Sequence, residues 1–226
     1  MIPIAQALAA GMRGVDCNTK LNAGSAAALR AKGIDFVMRY LPLSGNALGN
    51  DLTRDEFVAC LNAGLAVGCV QHTRRAGAFT PNAKDGAADG QRALDAAVAA
   101  GVLPGCTLFY DMEGPSVHAT ADDCAAYDAA WCGPVAAAGY MPGGYFGYGL
   151  PKSLTPERLY GLRVERYWKS GSLVVEPATC GWSMQQDPKF DQNVGGVDVD
   201  LDAVAGDKLG RFPVVMFPGP DVADVA

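Results

Sequence analysis

Histidine is nearly absent from this chain: His72 and His118 are the two in 226 residues. They form no ligand-spaced pair, so a histidine-held catalytic zinc is a poor fit, while an all-carboxylate Mg²⁺ or Ca²⁺ site stays open. A G-x-S-x-G elbow is missing and neither histidine adjoins an obvious nucleophile, which argues against Ser-His-Asp and Cys-His hydrolases. His72 reads as a strand-end residue bonded to backbone, His118 as an exposed loop residue. Basic charge is also scarce and scattered, with 18 Lys and Arg against 24 Asp and Glu and a net charge of −6. Nucleic-acid affinity rests on clustered phosphate neutralisation, so no nucleic-acid partner is expected.

Seven cysteines, at 17, 60, 69, 106, 124, 132 and 180, contain no C-x-x-C and are odd in number. They read as small buried apolar residues of a chain made in a reducing compartment, with one or two disulfides left open. No apolar run approaches the roughly 20 residues of a membrane span. The start, MIPIAQALAAGMRG, has no basic region ahead of its short apolar stretch and makes a poor secretory signal. With 50% hydrophobic residues the chain has ample material for a core.

One device repeats along the chain: a helical pattern ends in Gly, and an apolar β-rich run follows. It occurs at Gly33 before IDFVMRYL, Gly64 before LAVGCVQHT, Gly101 before VLPGCTLFYDME, and Gly139 before YMPGGYFGYG. Gly is favoured just past a helix end because it enters the left-handed region without a Cβ penalty. Thr53 with Glu56 and Thr120 with Asp123 resemble capping boxes. Residues 85–100 and 120–138 predict the longest helices, the second kinked or broken at Gly133-Pro134. Strands are predicted at 13–17, 34–41, 65–73, 106–113, 142–148, 163–168, 181–186 and 196–201. Eight strands, the first five separated by helices, predict an α/β fold with a parallel sheet closed into a (β/α)8 TIM-type barrel with short or irregular later helices. An open doubly wound sheet would want G-x-G-x-x-G after the first strand, and GVDCNTKLNAG does not match it. Residues 1–210 are assigned to the barrel and 211–226 to a Pro-rich, irregular C-terminal tail.

Barrel chemistry sits at the C-terminal ends of the strands. Those ends read Asp16; Arg39 and Tyr40; Gln71 and His72; Asp111 and Glu113; Tyr145 and Tyr148; Tyr167 and Trp168; Gln185 and Gln186; Asp198 and Asp200. Asp111 and Glu113 are two apart on one strand, so they face the same way with backbones about 6.5–7 Å apart. That is the distance scale of a carboxylate pair working on a glycosidic bond. Tyr and Trp offer flat faces for sugar rings, and Gln and Arg offer hydrogen bonds. The ring as a whole reads as a saccharide cleft.

The early GVD, then FVMRY, YDME, WSMQQD and a terminal GGVDVDLDAVAGD resemble, in that order, glycoside hydrolase family 25 lysozymes. Still closer is the likeness to the glycoside-hydrolase-like domains of unknown function 1906, and it spans essentially the whole chain. The resemblance implies a cofactor-free muramidase barrel that cuts the β-1,4 bond between N-acetylmuramic acid and N-acetylglucosamine in peptidoglycan. It places catalytic acids at Asp16, Asp111, Glu113 and Asp200, with Asp202 standing where family 25 usually has Asn. Glu113 would be the general acid, Asp111 the ionised stabiliser or the partner of the sugar's acetamido group, and Asp16 and Asp200 the carboxylates that hold water or hydroxyls. Asp198, Arg39, Tyr40, Gln71, Tyr145, Tyr148, Trp168 and Gln186 are the expected substrate contacts, with pairing to a neighbouring carboxylate the favoured reading of Arg39. A monomer acting at the bacterial cell wall follows, delivered as a phage endolysin or an exported lytic protein. A non-catalytic carbohydrate-binding barrel and a metal-dependent phosphodiesterase barrel are the rival readings.

Overall fold

The computed structural model describes residues 2–43, 49–75 and 77–219. The chain runs β1 (Ile4–Ala7), β2 (Arg13–Cys17), α1 (Ala23–Ala31), β3 (Phe36–Leu41), α2 (Arg54–Asn62), β4 (Ala66–Gln71), α3 (Ala83–Ala100) and β5 (Thr107–Met112). It continues through α4 (Ala121–Ala137), β6 (Met141–Phe146), α5 (Pro156–Tyr160), β7 (Arg166–Lys169), β8 (Met184–Gln186), β9 (Gln192–Val194), β10 (Val197–Val204) and β11 (Val214–Phe217).

Each helix starts where a short polar side chain can satisfy its free N–H groups. Asn22, Thr53, Asn82, Thr120 and Thr155 all cap in this way. Thr120 and Asp123 form the full reciprocal box. Thr53 accepts from the Glu56 N–H, but the Glu56 carboxylate turns away into the protein interior. The four junction glycines, 33, 64, 101 and 139, all take positive φ, between 78° and 93°. Helix α4 runs on through Pro134 to Ala137. The break expected at Gly133-Pro134 does not occur: the helix carries its proline in the last turn and ends at Ala137.

Eight strands close into a barrel in the order β2-β3-β4-β5-β6-β7-β8-β10 and back to β2. Neighbours from β2 to β8 are parallel. The last strand departs from the all-parallel expectation: β10 is antiparallel to both β8 and β2. The cause is local. After β8 the chain makes a hairpin, β9 to β10, around Gly195-Gly196 at φ 62° and 85°, and then descends the barrel wall. Paired positive φ is what a tight two-residue hairpin requires. No helix is needed there, and the described residues hold five helices in all. The segment after Arg211 is not an irregular strap either. Strand β11 pairs with β1 and β4 under the barrel, where Val215 and Leu8 join the inner core. Residues 220–226 of the expected tail lie outside the described residues.

Strand alternation divides the side chains into two cores. Phe36, Met38, Val70, Phe109, Trp168 and Met184 fill the lumen. Val15, Val37, Val67, Leu108 and Tyr110 face the helices. All seven cysteines are buried and free. Helices α3 and α4 touch backbone to backbone, since a Cβ on Gly86 or Gly90 would lie 2.4 Å from the carbonyl oxygen of Tyr127 or Trp131. Gly90→Leu is therefore expected to lower the free energy of unfolding in urea by about 1–3 kcal/mol through overpacking. Gly133→Ala, which has open space around the new Cβ, should be neutral or gain up to about 1 kcal/mol from helix propensity.

Candidate active site

The same alternation decides which strand-end residues reach the barrel mouth. On β2, Asp16 faces inward between Val15 and Cys17, which face the helices. On β5, Asp111 continues the inward row of Phe109, and Glu113 follows just past the strand end. On β10, Asp200 sits directly opposite Asp16, and Asp202 opposite Gln186 and Gly14. Because β10 descends, its first half lies at the mouth, and acids near the start of that strand meet acids at the ends of the others.

Gln186 joins them. Its Nε2 donates to Asp16 Oδ2 at 2.8 Å and to Asp200 Oδ2 at 3.1 Å. Its Oε1 accepts from the Gly171 N–H at 2.9 Å and from the Tyr145 hydroxyl at 3.1 Å. The Gly171 N–H fixes which end of the amide faces the acids, since a backbone N–H needs an acceptor. Tyr40 donates its hydroxyl to Asp16 Oδ1 at 3.2 Å, and its ring stacks on His72, 4.5 Å between centroids. His72 in turn meets the Asp51 side chain, not backbone. Glu113 is held by the Tyr148 N–H at 3.3 Å and lies so close over Gly147 that a Cβ there would come within 2.0 Å of Oε1. Tyr148 projects its ring at the rim, half exposed. Asp198 is exposed and accepts from Asn193, and Asp191, Asp198 and Asp200 line one side of the mouth together with Asp16 and Tyr40.

Asp16, Asp111, Glu113 and Asp200 are each pushed toward the protonated form. Burial is the main cause for Asp16, with Asp200 adding repulsion and Gln186 and Tyr40 opposing it, and its pKa rises to about 7. Asp111 rises well above the ordinary range because it is buried and faces Glu113 and Asp16. Its Oδ1 has no hydrogen-bond donor. Glu113 is raised by partial burial, against the Tyr148 N–H, and Asp200 by partial burial, against the Asp191 N–H. Among strand-end residues the sequence did not single out as contacts, Asp202 and Asp191 join the group. Asp202 was visible as a strand neighbour two residues from Asp200, on the same face by the period of two.

Three expected contacts lie elsewhere. Arg39 and Gln71 face the helix layer. The Arg39 Nε donates to Glu56 Oε1 at 2.7 Å, and its other nitrogens serve the carbonyls of Cys17 and Asn50, all out of solvent. Gln71 donates to the carbonyls of Pro42 and Asp89 and accepts from Trp131 Nε1. Trp168 faces inward but is a floor rather than a platform. It is 1% exposed, packs edge-on against Phe109 and Tyr145, and donates Nε1 to Asp202 Oδ1 at 2.9 Å. A depression lined by Val98, Leu103 and Tyr140 opens at the opposite, N-terminal end of the barrel, away from the acids.

A closed eight-stranded barrel with carboxyl groups converging at its mouth defines a glycoside-hydrolase-like protein. The family model for the Rv2525c-like, glycoside hydrolase-like domain matches residues 27–203, and the chain belongs to that family. The fold is shared with solved structures at low identity. The Tat-secreted protein Rv2525c of Mycobacterium tuberculosis, in complex with L-tartrate, is 18% identical with a TM-score of 0.66, over 88% of this chain and 99% of that one. The modular autolysin LytC of Streptococcus pneumoniae, in complex with a synthetic peptidoglycan ligand, is 15% identical with a TM-score of 0.64, over 85% of this chain and 46% of that one. The lysozyme of Streptomyces coelicolor is 15% identical with a TM-score of 0.60, over 89% and 95%. No curated protein matches by sequence.

The outward Arg39–Glu56 pair is fully buried, so removing one partner strands the other charge. Arg39→Met is expected to cost about 3–5 kcal/mol of unfolding free energy, and Arg39→Met with Glu56→Met to recover part of it, since the Leu21 N–H and the carbonyls of Cys17 and Asn50 lose their partners in the double variant. Urea titration of the two variants checks this. Equal losses in both would mean that the pair is not what Arg39 contributes.

Proposed function

We propose that this protein is a muramidase-type glycosidase that cleaves the β-1,4 bond between N-acetylmuramic acid and N-acetylglucosamine in peptidoglycan. One observation carries the reading: Asp111 and Glu113 lie together at the mouth of the barrel, one dry and one half-open, with Asp16 and Asp200 beside them. Two carboxyls whose surroundings hold their protons differently are what acid-assisted glycoside cleavage requires.

The roles follow from the surroundings. In the free protein the proton resides on Asp111, which is the drier of the two and has one oxygen without a donor. A sugar 2-acetamido N–H that donates to that oxygen stabilises the Asp111 carboxylate. The proton then moves to Glu113, which is partly open and points where a glycosidic oxygen can reach it. Glu113 protonates the leaving oxygen, while ionised Asp111 orients the acetamido group or stabilises the oxocarbenium-like transition state. Asp16 and Asp200, bridged by Gln186, accept hydroxyl or water protons, and Tyr148 offers its exposed ring to a sugar at the rim. The likeness to lytic enzymes of bacterial walls supports a site of action at the wall after release or export, with the chain working as a monomer and without a cofactor.

Purified peptidoglycan should lose turbidity with the wild-type protein, with or without EDTA. Mass analysis of the products should find N-acetylmuramic acid at the reducing end. Glu113→Gln should clear about 10²–10⁴-fold more slowly, the usual contribution of a general acid. Absence of clearing by the wild type would sink the glycosidase and favour a binding barrel. Loss of clearing in EDTA would favour a metal-dependent hydrolase, and an undiminished Glu113→Gln rate would remove the proposed acid.

A further inference from the structure

Beneath the proposed catalytic pair lies a carboxyl group with no assigned task. Asp202, on β10, is 4% exposed. Its Oδ1 accepts from Trp168 Nε1 at 2.9 Å, while Oδ2 is buried with no donor aimed at it. The side chain lies within hydrogen-bonding reach of Asp16, which is equally buried. Asp16 is served differently, with Tyr40 donating to one oxygen and Gln186 to the other. Gln186 has no hydrogen left for Asp202, since Asp16 and Asp200 take both. Two buried carboxylates in contact cannot both be ionised. A contact between carboxyls becomes a hydrogen bond only when one holds a proton. The oxygen without a donor shows which one: a protonated Asp202 turns its orphan acceptor into a donor, and Asp16 already has the donors that suit an anion.

We propose that Asp202 is a neutral carboxylic acid that shares its proton with Asp16, acting as a positioning residue that keeps this pair singly charged under the Asp111–Glu113 site. Around the pair stand Tyr40 on β3 and Asp111 on β5, both facing Asp16, together with Tyr145 on β6, Trp168 on β7, Gln186 on β8 and Asp200 on β10. Arg39, a buried cation of the wall, is turned outward and taken by Glu56. The proton is thus what neutralises the pair. An Asn at this position would place an amide donor where the protonated acid has its O–H, without any titration.

The sign of the pH dependence follows. Burial and Asp16 hold the Asp202 proton in the folded state well above the carboxylate range, and Asp16 itself rises to about 7. A carboxyl whose folded pKa is raised contributes stability that is complete below its unfolded value and is lost as pH rises through the folded one. The pair titrates as a unit, so the loss belongs to both residues. From pH 5 to pH 8 the melting temperature of the wild type should fall more than that of Asp202→Asn, by about 3 °C or more. Asp202→Leu should lower it across the whole range, because Trp168 loses its acceptor and Asp16 its donor. At pH 7 the infrared difference, wild type minus Asp202→Asn, should show the carbonyl band of one neutral carboxylic acid. Parallel melting curves for wild type and Asp202→Asn, or no such band, would overturn the proposal.

What the pair does in catalysis rests on the muramidase reading, and on that reading Asp202→Asn clears peptidoglycan at least about tenfold faster than Asp202→Leu at pH 8. Equal rates would overturn the positioning role. A wild type that clears nothing would remove the muramidase reading, while the melting and infrared measurements would still decide the shared proton.

Discussion

The amide of Gln186 ties together the carboxyl groups that meet where this barrel closes. Where β10 meets β2, Asp200 stands opposite Asp16, an arrangement of like charges across a strand pair that is ordinarily destabilising. Gln186, from the strand on the other side of β10, spends both amide hydrogens on these two acids, and its own oxygen is anchored by Gly171 and Tyr145. One neutral side chain therefore lets three strands converge at the mouth with their carboxyls intact. A lysine or arginine in its place would neutralise the acids and remove the chemistry, whereas an apolar residue would leave them to repel each other unscreened in a buried setting.

Much of the frame could be read from the chain because local signals agreed with one another. Glycines 33, 64, 101 and 139 each ended a helix, and the apolar runs after them became strands. The outward turns of Arg39, which pairs with a carboxylate, and of Gln71 share one cause. Residues next to each other at a strand end point to opposite faces, so FVMRY puts Tyr40 in the lumen and Arg39 among the helices, and VQH does the same with His72 and Gln71. Side-chain parity, counted from inward Phe36 and Val70, separates them. The direction of β10 was also written locally, in the Gly195-Gly196 pair between two short polar and apolar alternating runs, a hairpin signal. Strand β11 was hidden because its VVMF core is flanked by prolines, which belong at strand ends as readily as in loops. The shared proton of Asp16 and Asp202 could not be read at all, since it depends on which oxygens receive donors from distant strands.

The site's electrostatics constrain what it can hold. Asp16, Asp111, Glu113, Asp200 and Asp202 converge while the arginine on the neighbouring strand is committed to Glu56 behind the wall. Protons and neutral donors, not counter-charges, make that grouping tolerable. The arrangement costs stability, as buried acids with unmatched oxygens do, and such local conflict is expected where function rather than folding sets the residue choice. It also leaves a mouth rich in acceptors and poor in cations. An anionic ligand would meet repulsion there, whereas a neutral sugar brings hydroxyl and amide N–H donors to oxygens that lack them, first of all Asp111 Oδ1. On the muramidase reading proposed above, binding would satisfy the protein's unmatched acceptors and redistribute its protons in the same event, and so would order the site for acid catalysis.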